Sequence, residues 1–135
     1  MKKIIIIIVF LICIKPYGQN ITGSWLWKSS NGKDTFELNL TPISRTSTSI
    51  EGSHCSVFQQ GLKIDCVENL EEISINLTMV STNIYQGTIK SNYCYKNGTI
   101  KLIYDSNTDV IQMELIDKPN GEFYIPNTAV FVRIN

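Results

Sequence analysis

From residue 35 onward, apolar and polar side chains alternate with period two in run after run. Phe36, Leu38 and Leu40 point one way, and Glu37 and Asn39 the other. Ile73, Ile75, Leu77 and Met79 oppose Ser74, Asn76 and Thr78. Ile100, Leu102 and Tyr104 oppose Thr99 and Lys101, and Ile111, Met113 and Leu115 oppose Gln112 and Glu114. This period belongs to a strand with one buried and one wet face. Turn residues separate the runs: Asn31-Gly32, Gln60-Gly61, Asn97-Gly98, the polar cluster 105–109, Pro119-Asn120-Gly121 and Pro126-Asn127. Such pairs supply the positive φ that tight hairpins require. The pattern predicts strands at 24–29, 35–41, 48–58, 62–67, 73–80, 84–91, 99–104, 110–116 and 128–134, with a short one near 122–125. A meander of closely spaced, half-buried strands does best by closing, because closure removes its edges. The expected fold is all-β, an antiparallel up-and-down barrel of eight to nine strands. A two-sheet β-sandwich is the alternative.

Residues 1–18 break this pattern and read as a secretory signal peptide. Lys2 and Lys3 precede an unbroken apolar run from Ile4 to Ile14, and Lys15-Pro16-Tyr17-Gly18 ends it. The run is far shorter than the roughly 20 residues a membrane-spanning helix needs. Cleavage near Gly18 leaves one domain, residues 19–135, with no membrane span. Lipid attachment at Cys13 is disfavoured, because bulky Ile12 precedes it and the apolar run continues past it. The expected location is secreted or periplasmic, where disulfides persist.

Composition sharpens the picture in two ways. The whole chain carries twelve basic and twelve acidic residues, and three of the lysines lie in the leader. The mature domain therefore has nine positive against twelve negative groups, a net charge of −3. A mildly acidic domain lacks the electrostatic footprint of a nucleic-acid binder. A single alanine (Ala129) among many Ile, Thr, Asn and Ser residues also argues against helices.

Three cysteines follow the leader: Cys55, Cys66 and Cys94. Cys55 and Cys66 lie symmetrically about Gln60-Gly61. A two-residue hairpin loop there pairs 55 with 66, 57 with 64 and 58 with 63, with the paired Cα atoms ~5.5 Å apart. A Cys55–Cys66 disulfide is expected, with both sulfurs on the apolar side beside Val57 and Ile64. Ser56, Phe58, Lys63 and Asp65 share the other side. Cys94 is expected to be a buried free thiol.

Little else carries chemistry. His54 is the only histidine, expected as a solvated or hydrogen-bonded strand residue. It is adjacent to Cys55, so the two point to opposite faces and make no zinc site. No nucleophile elbow and no phosphate-binding glycine loop occurs. No enzyme activity, metal or cofactor is expected.

Gly23-Ser24-Trp25 opens the first strand, and Arg133 lies near the end of the last. This arrangement resembles the G-x-W signature of the lipocalins and related calycin barrels. The resemblance implies that Trp25 plugs one barrel end and that Arg133 stacks on it as a barrel-closing pair. The chain also resembles small exported bacterial proteins grouped as a domain of unknown function, on His54-Cys55 and Asp65-Cys66. That second likeness implies no activity.

The leading expectation is a non-catalytic, exported, lipocalin-like protein that binds a small apolar ligand. The candidate lining is Leu38, Ile75, Leu77, Ile100, Leu102, Met113 and Leu115. The alternative is a protein-interaction module of the inhibitor or immunity type, with a filled barrel. It would act through an outer face or the loops at 93–95 and 68–72.

Overall fold

The computed structural model of the chain describes residues 21–69 and 71–134. The segment read as a signal peptide lies outside the described residues. Nine strands follow one another: β1 (Gly23–Lys28), β2 (Thr35–Pro42), β3 (Ser49–Phe58), β4 (Lys63–Cys66), β5 (Ile75–Ser81), β6 (Ile84–Ile89), β7 (Gly98–Asp105), β8 (Val110–Asp117) and β9 (Thr128–Ile134). Every pairing is antiparallel.

Eight of the strands close a barrel in the order β1-β2-β3-β5-β6-β7-β8-β9. Closure comes from Ser24, Trp25 and Leu26 of β1 pairing with Ile134, Arg133 and Val132 of β9. The expected up-and-down barrel is therefore present, and the sandwich alternative is not. β4 is the extra strand. It shares an edge of β3 with β5, because β3 is longer than either. β5 takes Ser49–Gly52, and β4 takes Cys55–Phe58. Ser53 and His54 sit at the changeover.

Alternation places the core. Phe36, Leu38 and Leu40 of β2, Ile100 and Leu102 of β7, and Ile111, Met113 and Leu115 of β8 all point inward and are buried. They belong to one cluster that runs through the barrel. Two strand glycines let the wall tighten around it. A Cβ on Gly87 would lie 1.9 Å from the Asn76 carbonyl oxygen, and one on Gly52 would lie 2.2 Å from that of Asn39. No side chain fits either spot.

Two local expectations fail. The stretch 122–125 forms no strand. It crosses one end of the barrel instead, and Tyr124 and Ile125 are buried there. Ile73 keeps the phase of Ile75 and Leu77 but precedes β5 and is exposed. Among the described residues, no helix is long and apolar enough to cross a membrane.

Candidate functional site

At the end of the barrel where β1 begins, Trp25 is wholly buried and donates its indole N–H to the Ile21 carbonyl at 2.8 Å. The Arg133 guanidinium lies 4.2 Å from its ring centroid, and the two residues are register partners. Arg133 also grips Asp109 with two bonds of 2.9 Å and donates to the Thr22 carbonyl at 2.5 Å. The Tyr104 hydroxyl donates to the same carboxylate at 3.0 Å. The Arg133 bonds hold the Asp109 carboxyl below its ordinary range. Asp109 and Tyr104 were not candidates from the sequence, since nothing local links the β7–β8 turn to β9. The arrangement ties three chain segments over one tryptophan. It is a clasp that fastens this end of the barrel.

The other end is built differently. Here β3 and β4 carry a correction. The register is as expected, with Cys55 opposite Cys66, Val57 opposite Ile64 and Phe58 opposite Lys63. The disulfide is formed, with the Cα atoms 4.0 Å apart. The loop, however, has four residues, 59–62, closed by the Leu62 N–H on the Gln59 carbonyl. Its Gln59, Gln60 and Gly61 all have positive φ, at 51°, 59° and 92°. The faces are also the reverse of the apolar count. Ile64 is half-exposed, whereas Ser56 and Asp65 have no exposure at all. The disulfide therefore sits on the outer side, and the polar side faces in. The phase of β3 explains this: Ile50 points inward, and His54 and Ser56 follow it at even spacing.

Several of the inward polar residues bond one another across distant segments, while His54 Nε2 and Ser56 Oγ are buried with no hydrogen-bond partner among the described residues. Ser74 Oγ accepts the His54 backbone N–H at 3.1 Å and lies 2.7 Å from Nδ1 of the ring. Nε2 faces Asp65 Oδ2 at 3.6 Å, beyond hydrogen-bond reach. A ring proton on Nε2 suits both neighbours, because Nδ1 then accepts the Ser74 hydroxyl. Asp65 also accepts the Ser91 hydroxyl at 2.5 Å and the Asn92 backbone N–H at 3.0 Å. Burial pushes the Asp65 carboxyl up, but His54, Ser91 and Asn92 together outweigh it and hold the carboxyl below its ordinary value. His54 is thus the hydrogen-bonded strand histidine of the two expected forms, buried rather than solvated.

Serine, histidine and aspartate do converge here, but not as a hydrolytic triad. In such a triad the carboxylate holds Nδ1 and the nucleophile faces Nε2. Here the two are exchanged, and Ser74 is already engaged by a backbone N–H. All three side chains are buried. No group of three or more His, Cys, Asp or Glu residues suited to a metal occurs among the described residues.

Two loops and β4 lock onto one another above this cluster. Asn92 Nδ2 donates to the Cys66 carbonyl at 2.9 Å, and the Tyr93 hydroxyl to that of Ile64 at 3.1 Å. The Tyr93 ring meets Tyr124 edge-on at 4.9 Å. Lys63 pairs with Glu122 at 3.2 Å and lies 5.5 Å from the Tyr124 ring centroid. The Cys94 thiol is half-exposed rather than buried and reaches the Glu122 carbonyl at 2.7 Å. Apolar side chains project outward from this frame. Leu62 is 81% exposed, Ile64 53%, and Tyr95 fully exposed. In the 68–72 loop, Glu72 pairs with Lys90 at 3.4 Å.

All seven side chains proposed to line a ligand site belong to the packed core cluster. An open cavity of about 520 Å³ lies in the wall between β1 and β9, lined by residues that include Trp27, Lys28, Lys101, Ile103 and Val130 and reaching Met113, the one predicted lining residue it touches, and Ala129 at the edge of the core. No family model, no curated protein and no solved structure matches the chain.

Proposed function

We propose that this chain is a non-catalytic, exported protein-interaction module built on a filled, lipocalin-like barrel. The Gly23-Ser24-Trp25 opening and the Arg133 stack support the lipocalin-like likeness. A ligand inside the barrel would have to displace Leu38, Ile75, Leu102 and their neighbours from a close-packed core. The observation that carries the reading is the apolar surface at the β3–β4 tip, where Leu62, Ile64 and Tyr95 are exposed. Aromatic and aliphatic groups held on a rigid frame make good contact centres, because little freedom is lost on binding. The frame here is braced by the disulfide, the Asp65 cluster and the bonds from Asn92 and Tyr93. The occupant proposed is a protein surface with apolar side chains of its own.

The test places a photo-crosslinking side chain at Tyr95 in the protein exported by its native host. The expected result is one discrete adduct that Leu62→Asp abolishes while the melting temperature and circular dichroism stay unchanged. Labelling that survives Leu62→Asp, an adduct of twice the chain's own mass, or no adduct at all would overturn the reading.

A further inference from the structure

The barrel has a weak seam. β1 and β9 pair over three residues only, ending at Leu26 opposite Val132. Past that point β1 continues along β2, with Trp27 opposite Phe36 and Lys28 opposite Thr35. β9 continues along β8, with Ala129 opposite Met113 and Thr128 opposite Glu114. Thr128–Phe131 consequently has a ladder partner on one side only, and the two edges part.

The gap between them opens into the cavity of about 520 Å³. That size falls within the roughly 300–1,000 Å³ of small-molecule sites. The half-buried Trp27 forms one side, and its ring stacks on Phe58 with centroids 6.2 Å apart. Val130 and Ile103, both partly exposed, provide apolar surface opposite. Lys28 and Lys101 stand at the rim with a single carboxylate, Glu114, between them and no other charge in the lining. Among the described residues, neither lysine makes an ion pair. Two cations against one anion leave the rim positive on a domain that is otherwise mildly acidic.

We propose that this seam is a binding site for a small organic anion with a flat apolar body, of the aryl-carboxylate class. The apolar body would lie between Trp27 and the Val130–Ile103 surface, and the carboxylate would take Lys28 and Lys101. The unpaired edge of β9 and the side chains of Gln112 and Thr128 provide further polar partners. This site shares no residue with the Leu62–Tyr95 surface, so either can fail without the other.

The experiment titrates the full exported protein with 4-phenylbutyrate and, in parallel, with uncharged 4-phenylbutanol, followed by two-dimensional ¹H–¹⁵N NMR. Saturable shifts are expected at the Trp27 indole and at the amides of Val130 and Lys28. The alcohol should bind about tenfold more weakly, equivalent to ~1.4 kcal/mol. Lys28→Gln combined with Lys101→Gln should weaken the acid by at least about tenfold without changing the unfolding midpoint. Three results would overturn the proposal: no saturation by about 10 mM, equal affinity for acid and alcohol, or shifts that map to Tyr95 or to core residues away from the lining, such as Leu38 and Ile75.

Discussion

Asp65 is the residue whose removal should reveal most about how the β3–β4 end is held. Its carboxylate is fully buried, accepts from Ser91 and Asn92, and faces the His54 ring. Asp65→Ala strips two donors and an imidazole of their partner at once. Each orphaned donor costs about 1–3 kcal/mol, so stranding the Ser91 hydroxyl and the Asn92 N–H together costs about 2–6 kcal/mol. We expect a loss of ~4 kcal/mol, a large share of the roughly 5–15 kcal/mol that holds a typical domain together. Asp65→Asn keeps the shape and one acceptor oxygen but loses the charge, so its cost should be about 1–2 kcal/mol. Urea unfolding at pH 7, followed by tryptophan fluorescence, measures both.

The pH dependence provides an independent check. The folded carboxyl lies below its ordinary value. Its contribution is therefore complete above the unfolded value of about 3.9 and is lost as pH falls through the lower folded value. Asp105 and Asp109 are also depressed, so acid destabilisation should become shallower in Asp65→Asn rather than vanish. His54→Ala should cost less in the Asp65→Ala background than alone, with a coupling of about 0.5–3 kcal/mol. A cost below about 1 kcal/mol for Asp65→Ala, or strict additivity with His54→Ala, would refute the network as described.

Two further outcomes follow from the same geometry. Replacing Cys55 and Cys66 with serine removes a crosslink that closes a loop at a sequence separation of 11. It should cost about 3 kcal/mol and lower the melting temperature by roughly 10 °C in calorimetry, while an unchanged melting temperature would contradict this. Arg133→Ala removes the Trp25 stack, the paired bonds to Asp109 and the bond to Thr22. It should cost about 1–3 kcal/mol, and Arg133→Lys should recover less than half, because an ammonium cannot copy the fork; full recovery by lysine would show that charge alone matters.

What could be read from the sequence divides along a physical line. β2, β5, β7 and β8 were legible because each has one greasy and one wet face, and period two reports that directly. The ends of β9 at 128 and 134 coincide with the prediction. The disulfide was legible because Cys55 and Cys66 stand symmetrically about Gln60-Gly61. Symmetry sets which residues face each other even when the loop proves to have four residues instead of two.

Inside and outside are a different question from register. In β3 and β4, Val57 and Ile64 point out while Ser56 and Asp65 point in. The local apolar count misleads there because the polar residues are neutralised from afar. Ser74 lies 20 residues from His54, and Ser91 lies 26 from Asp65. A pairing between segments that far apart leaves no periodic trace. The phase of β3 did contain the answer, since Ile50 and Gly52 share the face of His54 and Ser56, and a strand keeps its face along its length unless a bulge intervenes. The clasp of Arg133 on Asp109, 24 residues apart, leaves no periodic trace for the same reason. The parts of this protein that repeat locally were visible, and those that join its ends had to be built in three dimensions. Both candidate surfaces lie where the repeating pattern lapses: one at the tip beyond β4, the other where β1 leaves β9.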